Sequence, residues 1–294
     1  MTNDRTSSAD ARDAAARSLY GSTAYASTND ADVQDRAVDW LETQAVHPFI
    51  KETGRRAMDF LELRPGESVI DVGCGTGVFL PPLVAAVGAE GSVVGVDHAP
   101  TFLAQARQRV AEAGVSDNVI LREADAMALP FADDSFDAAH CERVLMHLAS
   151  PADAIGEMSR VVRPGGRVVA AEIFAHGATS DHPDPETHAT IYRAMVAGLR
   201  NPRMGIELRR LFLQAGLEDV NGTVVVDFET ELDPDEAEEY RALAGELAER
   251  GELDAAQAAA AADALVEQAA RGEHCGMAVM FVVAGRTPNR SSPA

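Results

Sequence analysis

The chain has 294 residues, 46% of them hydrophobic, enough to bury one substantial core with decorations rather than to demand a second domain. Its formal net charge of -22 opposes the backbone neutralisation on which nucleic-acid binding depends, so RNA and DNA substrates are disfavoured. The polar start, Met1 to Asp13, lacks the apolar core of a signal peptide, and no apolar run reaches the roughly 18 residues of a membrane span, so a cytoplasmic protein is expected. Cys74, Cys141 and Cys275 stand apart without a CxxC pair, which predicts reduced thiols and no zinc or other metal site.

Residues 1–17 are rich in Ala, Ser and Asp and predict a disordered leader, because they offer little apolar surface against the entropy of ordering. Tyr20 and Tyr25 follow in a Gly/Ser/Thr-rich segment. Between Asp30 and Leu63 the apolar residues Val33, Ala37, Trp40, Leu41, Phe49, Ile50, Ala57 and Leu61 recur at helical spacing, and Pro48 breaks or starts a helix among them. Val69-Ile70-Asp71-Val72 then predicts a short buried strand, Gly73-Cys74-Gly75-Thr76-Gly77 a tight turn, and Val78-Phe79-Leu80 the opening of a helix.

A second strand, Ser92 to Asp97, ends in a carboxylate about 20 residues beyond the last glycine, where an α/β nucleotide site needs an acceptor for ribose hydroxyls. A helix from Pro100 to Ala113 and an apolar run from Asn118 to Ala126 come next. Leu129 to Asp137 is a turn-rich lead into a fourth strand, and Val161 to Val169 is a helix-to-strand turn before a fifth. Strand and helix alternate in this way through Phe174, which predicts βαβ units, a parallel sheet and helices on both faces. Residues 204–216 predict a further helix, Asp219 to Phe228 and Cys275 to Ala284 two closing strands, and 287–294 a flexible tail.

The glycine spacing narrows the ligand. A dinucleotide fingerprint has a third glycine where this chain has Val78, and no G-K-[S/T] end is present for a triphosphate. The remaining pattern is a strand, Asp71, the glycines at 73, 75 and 77, and the distal Asp97. It resembles the cofactor motif of class I S-adenosylmethionine-dependent methyltransferases, over roughly residues 55 to 220. The nearest members are small-molecule enzymes that methylate quinones and natural products. No Asn-Pro-Pro-Tyr or Asp-Pro-Pro-Tyr stretch, common in enzymes that methylate bases and glutamine, follows the fourth strand.

This resemblance implies an α/β, doubly wound, Rossmann-like sheet of seven mostly parallel strands, the last two antiparallel. It also implies helices on both faces, and N-terminal helices and helical insertions that form a lid. It implies one methyltransferase domain over 18–286, with its core at about 55–228 and 275–285 and insertions at about 175–203 and 231–271. It further implies S-adenosylmethionine as cofactor, S-adenosylhomocysteine as product, and a small-molecule acceptor.

Site residues follow from the same resemblance. The loop Asp71, Gly73, Cys74, Gly75 and Gly77 faces the methionine moiety, Asp97 the ribose, Asp125 and Ala126 the adenine, and Cys141 and Glu142 the methionine and methyl ends. His98, directly after Asp97, touches the adenosine half or is a loop histidine exposed to water, and Tyr20 and Tyr25 close over the methionine portion or clamp the core.

Methyl transfer from a sulfonium is an in-line displacement that gains much of its rate from orientation, and it needs a base only where the nucleophile sheds a proton. His147 and Glu142 are the candidates. Each has a plainer reading, as a helix-packing histidine and as a partner of Arg143. The chemistry could be O-, N- or C-methylation in secondary metabolism. A non-methylating reaction on the same fold, such as a cyclisation, and a non-catalytic binding protein are the alternatives.

The first insertion is the candidate lid. Its histidines at 176, 182 and 188 invite a metal reading that the six-residue spacing and Pro183 and Pro185 oppose. The second insertion is Ala/Glu-rich with two helical patterns parted near Gly251, and reads as a solvated pair of surface helices. Pocket cover and an oligomer contact are its other readings, which leaves a homodimer open.

Overall fold

The computed structural model describes residues 31–289, so the leader, Tyr20 and Tyr25 lie outside the described residues. In chain order the elements are α1 (Ala31–Val46), α2 (Pro48–Leu61), β1 (Ser68–Val72), α3 (Leu80–Val87), β2 (Ser92–Asp97), α4 (Pro100–Glu112) and β3 (Val119–Glu123). They continue with β4 (Phe136–Glu142), α5 (Pro151–Val161), β5 (Val162–Ile173), β6 (Thr179–Ser180) and α6 (Pro185–Ala197). The chain closes with α7 (Met204–Gln214), β7 (Glu218–Glu229), α8 (Pro234–Glu249), α9 (Ala255–Ala270) and β8 (Gly276–Arg286).

Prolines punctuate this order as starts rather than breaks. Pro48, Pro100, Pro151 and Pro185 each open a helix, where the missing N–H has no intrahelical partner to lose and φ is already helical. No regular helix runs through Pro183; Pro185 instead begins α6, with the Asp184 side chain accepting from Thr187 N at 3.1 Å as its cap.

The described residues fall into two compact units. The larger comprises 31–173, 203–225 and 280–289, and the smaller 174–202 and 226–279. In the larger unit the strand order is β3-β2-β1-β4-β5-β8, with β7 pairing β8 off this path. The pairs from β3 to β5 are all parallel, and β8 runs antiparallel to β5.

Val69, Ile70 and Val72 of β1 are fully buried, as a parallel strand covered on both faces must be. The chain moves outward from β1 to β3 and then returns to β4 on the other side of β1. Right-handed crossovers therefore put the helices on opposite faces, and the topological switch lies between the carboxyl ends of β1 and β4. The seven strands expected are present, and an eighth, the two-residue β6, is added.

In the smaller unit β6 pairs antiparallel with the first residues of β8, Thr179 with Met277 and Ser180 with Gly276. Helices α6, α8 and α9 pack together there around Ile191, Tyr240, Leu247, Ala258, Ala262 and Leu265, all buried. The expectation of a solvated helix pair is corrected by this core. One face of α9 is buried although it is mostly alanine, a residue too small and too common along that helix to mark a face in the sequence.

Two of the histidines of the first insertion, His182 and His188, serve this packing, while His176 is exposed. His182 Nε2 lies 3.0 Å from Ala261 O, and His188 lies 3.2 Å from Ser180 Oγ through Nε2 and 3.1 Å from Tyr240 Oη through Nδ1. The two imidazoles stack with centroids 5.0 Å apart. Among the described residues no group of three or more His, Cys, Asp or Glu side chains is placed to hold a metal ion.

Candidate functional site

The loop 73–77 leaves β1 at the switch point. Gly73, Gly75 and Gly77 have φ of 73°, 53° and 79°, a region that a Cβ disfavours. Their roles differ. A Cβ on Gly73 would lie 2.3 Å from Val144 Cγ2, and one on Gly77 2.9 Å from Ala106 Cβ, so these two glycines permit close packing. Among the described residues, a Cβ on Gly75 would meet only Leu41 Cδ1, at 3.9 Å. The loop backbone is open at Gly75, and this is where a ligand can approach it.

Asp97 closes β2 beside that opening. Its buried carboxylate accepts from Gly75 N through Oδ2 and from Ala99 N through Oδ1, both at 2.9 Å. Two hydrogen bonds leave about half of a carboxylate's acceptor capacity unused. His98, half exposed, lies with Nδ1 3.4 Å from Asp97 Oδ1. Cys74 has its thiol against the position a Gly95 Cβ would take, at 3.1 Å, so only its backbone belongs to the loop face; burial pushes that thiol well up. Helix α1 reaches the loop through Glu42, which pairs with Arg109, and Arg109 Nε donates to Thr76 O at 3.0 Å.

Asp125 is exposed after β3 and accepts from Met127 N at 2.8 Å through Oδ1, an Asx turn; Ala126 beside it is half-buried.

The carboxyl end of β4 gathers the titratable groups. Cys141 is fully buried, and burial raises its thiol well above the usual value. Burial also raises the Glu142 carboxyl, against the pull of Arg143, whose Nε is 3.5 Å from Glu142 Oε1. Arg143 itself has φ of 55°, strained for a side chain of its size, and places its guanidinium 6.0 Å from the Trp40 ring. The short 3-10 turn Leu145–His147 follows. His147 is half-buried, and its Nδ1 is enclosed with no hydrogen-bond partner among the described residues. Burial first, then the positive charge of Arg143, pushes its pKa down to about 4, so the ring is neutral at physiological pH.

Two groups here were not singled out in the sequence as site residues. His140 on β4 contacts Asp71 on β1 at 2.8 Å and stacks on Phe79 at 4.3 Å between centroids. Gly54 of α2 makes room for that stack, since a Cβ there would lie 2.4 Å from the Phe79 ring. Glu172 on β5 is fully buried, and burial pushes its carboxyl up to about 8 against hydrogen bonds from loop amides. No local pattern marks either group, because their partners lie 69 and 27 to 28 residues away in sequence.

Comparison with known proteins bears on this geometry. A family profile described as a methyltransferase domain matches residues 70–170. The chain is 38% identical over 180 residues to an uncharacterized 37.1 kDa protein in transposon TN4556 of Streptomyces fradiae, covering 61% of this chain and 51% of that one. It is 36% identical over 146 residues to methyltransferase GfsG of Streptomyces halstedii, covering 48% and 51%. The chain thus spans about half the length of the curated relatives it matches. The solved structure of the cyclase SpnF aligns at 26% identity and a TM-score of 0.50, over 81% of this chain and 80% of that one. The glycine loop and the switch point between β1 and β4 lie within the segment that matches the methyltransferase domain profile, and that segment resembles a class I S-adenosylmethionine-dependent methyltransferase domain.

Proposed function

We propose that this chain transfers the methyl group of S-adenosylmethionine to O, N or C of a small, partly hydrophobic acceptor, in the cytoplasm and in secondary metabolism. The observation that carries this reading is the pairing of Asp97 with the open Gly75: a buried carboxylate with spare acceptor capacity, tied at 2.9 Å to the loop glycine that, among the described residues, has free space over its backbone. These residues fit an adenosyl group with hydroxyls to bind and no phosphate to neutralise. The cofactor, when bound, supplies a methyl group already activated by a sulfonium.

The chain's own residues do the remainder. The loop amides and Asp97 hold the nucleoside and methionine parts, and the exposed Asp125 receives the adenine side. The imidazole of His147, kept neutral by burial, receives the proton of a phenol or amine acceptor. Glu142 orients what enters beside Arg143.

Calorimetric titration with S-adenosylmethionine and S-adenosylhomocysteine, with NAD and ATP as controls, tests the reading. Selective binding in about the micromolar range supports it and justifies an acceptor screen for methylated product. Folded, ligand-free protein that binds neither thioether overturns it. A second reading, a non-methylating reaction such as cyclisation, is favoured by the likeness to the cyclase. It predicts cofactor binding without cofactor consumption in that screen.

A further inference from the structure

Glu172 reaches from β5 under the segment that follows β4. Its Oε1 accepts from Val144 N at 2.9 Å and from Leu145 N at 2.6 Å, while its Oε2 is buried without a hydrogen-bond partner among the described residues. Both amides sit at the start of the 3-10 turn that ends in His147, and His147 N in turn donates to Val144 O at 2.9 Å. The side chain of Val144 presses on Gly73, which has no room for a Cβ there. A polar carboxyl group buried this completely costs free energy unless the groups it holds repay it, and the groups it holds are backbone donors of one short segment.

We propose that Glu172 is a positioning residue that locks the Val144–His147 segment against Gly73, so that one buried side chain on β5 places both the glycine loop and His147. The inference rests on the reading of the glycine loop as the cofactor site. Burial keeps the Glu172 carboxyl protonated at neutral pH, so its carbonyl oxygen can serve as the acceptor and glutamine can replace it. Alanine cannot, and leaves two amides without their acceptor.

Three variants test this: Glu172→Gln, Glu172→Ala and Val144→Ala, the last of which keeps the amide bonds and removes only the contact with Gly73. Each is titrated with S-adenosylhomocysteine, and each is read by the fluorescence of Trp40, the chain's one tryptophan, which lies beside Arg143 at the edge of the locked segment. Glu172→Gln is expected to bind within about twofold of the parent with the same emission, and Glu172→Ala to bind about tenfold more weakly or worse with shifted emission. Val144→Ala is expected to weaken binding by at least about threefold.

A folded Glu172→Ala protein with parental affinity and emission overturns the inference. If that variant does not fold, parental affinity in Val144→Ala overturns it, as does a Glu172→Gln protein that behaves like the alanine variant. If the parent itself binds no S-adenosylhomocysteine, the cofactor reading fails. The lock is then judged on Trp40 emission alone, in which Glu172→Gln must match the parent and folded Glu172→Ala must not; without a folded alanine variant, Glu172→Gln decides it.

Discussion

Asp71 and His140 occupy directly opposed positions on β1 and β4, and their side chains meet at 2.8 Å inside the sheet, with Asp71 two residues ahead of the first loop glycine. Burial alone would strip the proton from the imidazole, yet the facing carboxylate outweighs it and holds the His140 pKa above its usual value. The pair therefore places charge at the root of the glycine loop, and the stacked ring of Phe79 keeps water from it.

Replacing Asp71 by Asn should expose that balance. A group whose folded pKa is raised contributes stability that is complete below its unfolded value, 6.5, and is lost as pH rises through the folded value. The variant should accordingly be less stable than the parent by about 3 kcal/mol near pH 5 to 6, the scale of a broken buried ion pair, with a smaller gap at alkaline pH. Urea midpoints across this range check it, and a gap that widens with pH would contradict the assignment.

Asp97 makes a prediction about affinity rather than stability. Alanine at 97 removes the acceptor for Gly75 N and Ala99 N, freeing the loop and deleting the proposed ribose contact. Binding of S-adenosylhomocysteine should weaken by about a hundredfold, two charge-assisted hydrogen bonds being worth on the order of 3 kcal/mol. The Asp97→Asn variant keeps one neutral oxygen and should fall between. Normal calorimetric affinity in Asp97→Ala would show that the ribose assignment is wrong.

The contrast between Asp97 and Glu172 explains what the sequence could reveal. The glycine loop, β1, β2 and Asp97 are legible because their geometry is local: glycines at fixed offsets, an apolar run of strand length and an acid at its end. The roles of Gly73 and Gly77 were not, because the atoms they approach, on Val144 and Ala106, come from distant segments. Glu172 and the Asp71–His140 pair depend on strand register, which no one-dimensional pattern specifies. The helix pair α8 and α9 was found in the right place but assigned to solvent, since alanine contributes to helix propensity and to a packed face alike.

His147 should reveal its environment in a rate profile. A ring held at a pKa of about 4 stays neutral through the physiological range, so the acid limb of turnover should fall near pH 4 to 5 rather than near 6.5. His147→Ala should leave S-adenosylhomocysteine affinity within about twofold and slow turnover by roughly a hundredfold or more with a phenol or amine acceptor. A variant that turns over at the parental rate, with cofactor binding intact, removes His147 from the chemistry.

The smaller unit should respond to pH in the opposite sense from an ordinary acidic surface. Glu236 on α8 is pushed up to about 8, by burial first and then by the neighbouring carboxylates of Glu229, Asp233 and Glu239, and burial raises Glu239 to about 7. An unfolded glutamate releases its proton near 4.5 and the folded Glu236 only near 8, so across that interval the unfolded state binds fewer protons and folding weakens as pH rises. The loss levels off above the folded value. Glu236→Gln removes the larger of these two raised groups, and amide hydrogen exchange in α8 and α9 should then depend less on pH between about 5 and 8, after correction for intrinsic exchange. Protection in the parent that instead increases with pH over this interval would mean that Glu236 is ionised in the folded protein and that the four carboxylates are held apart by solvent.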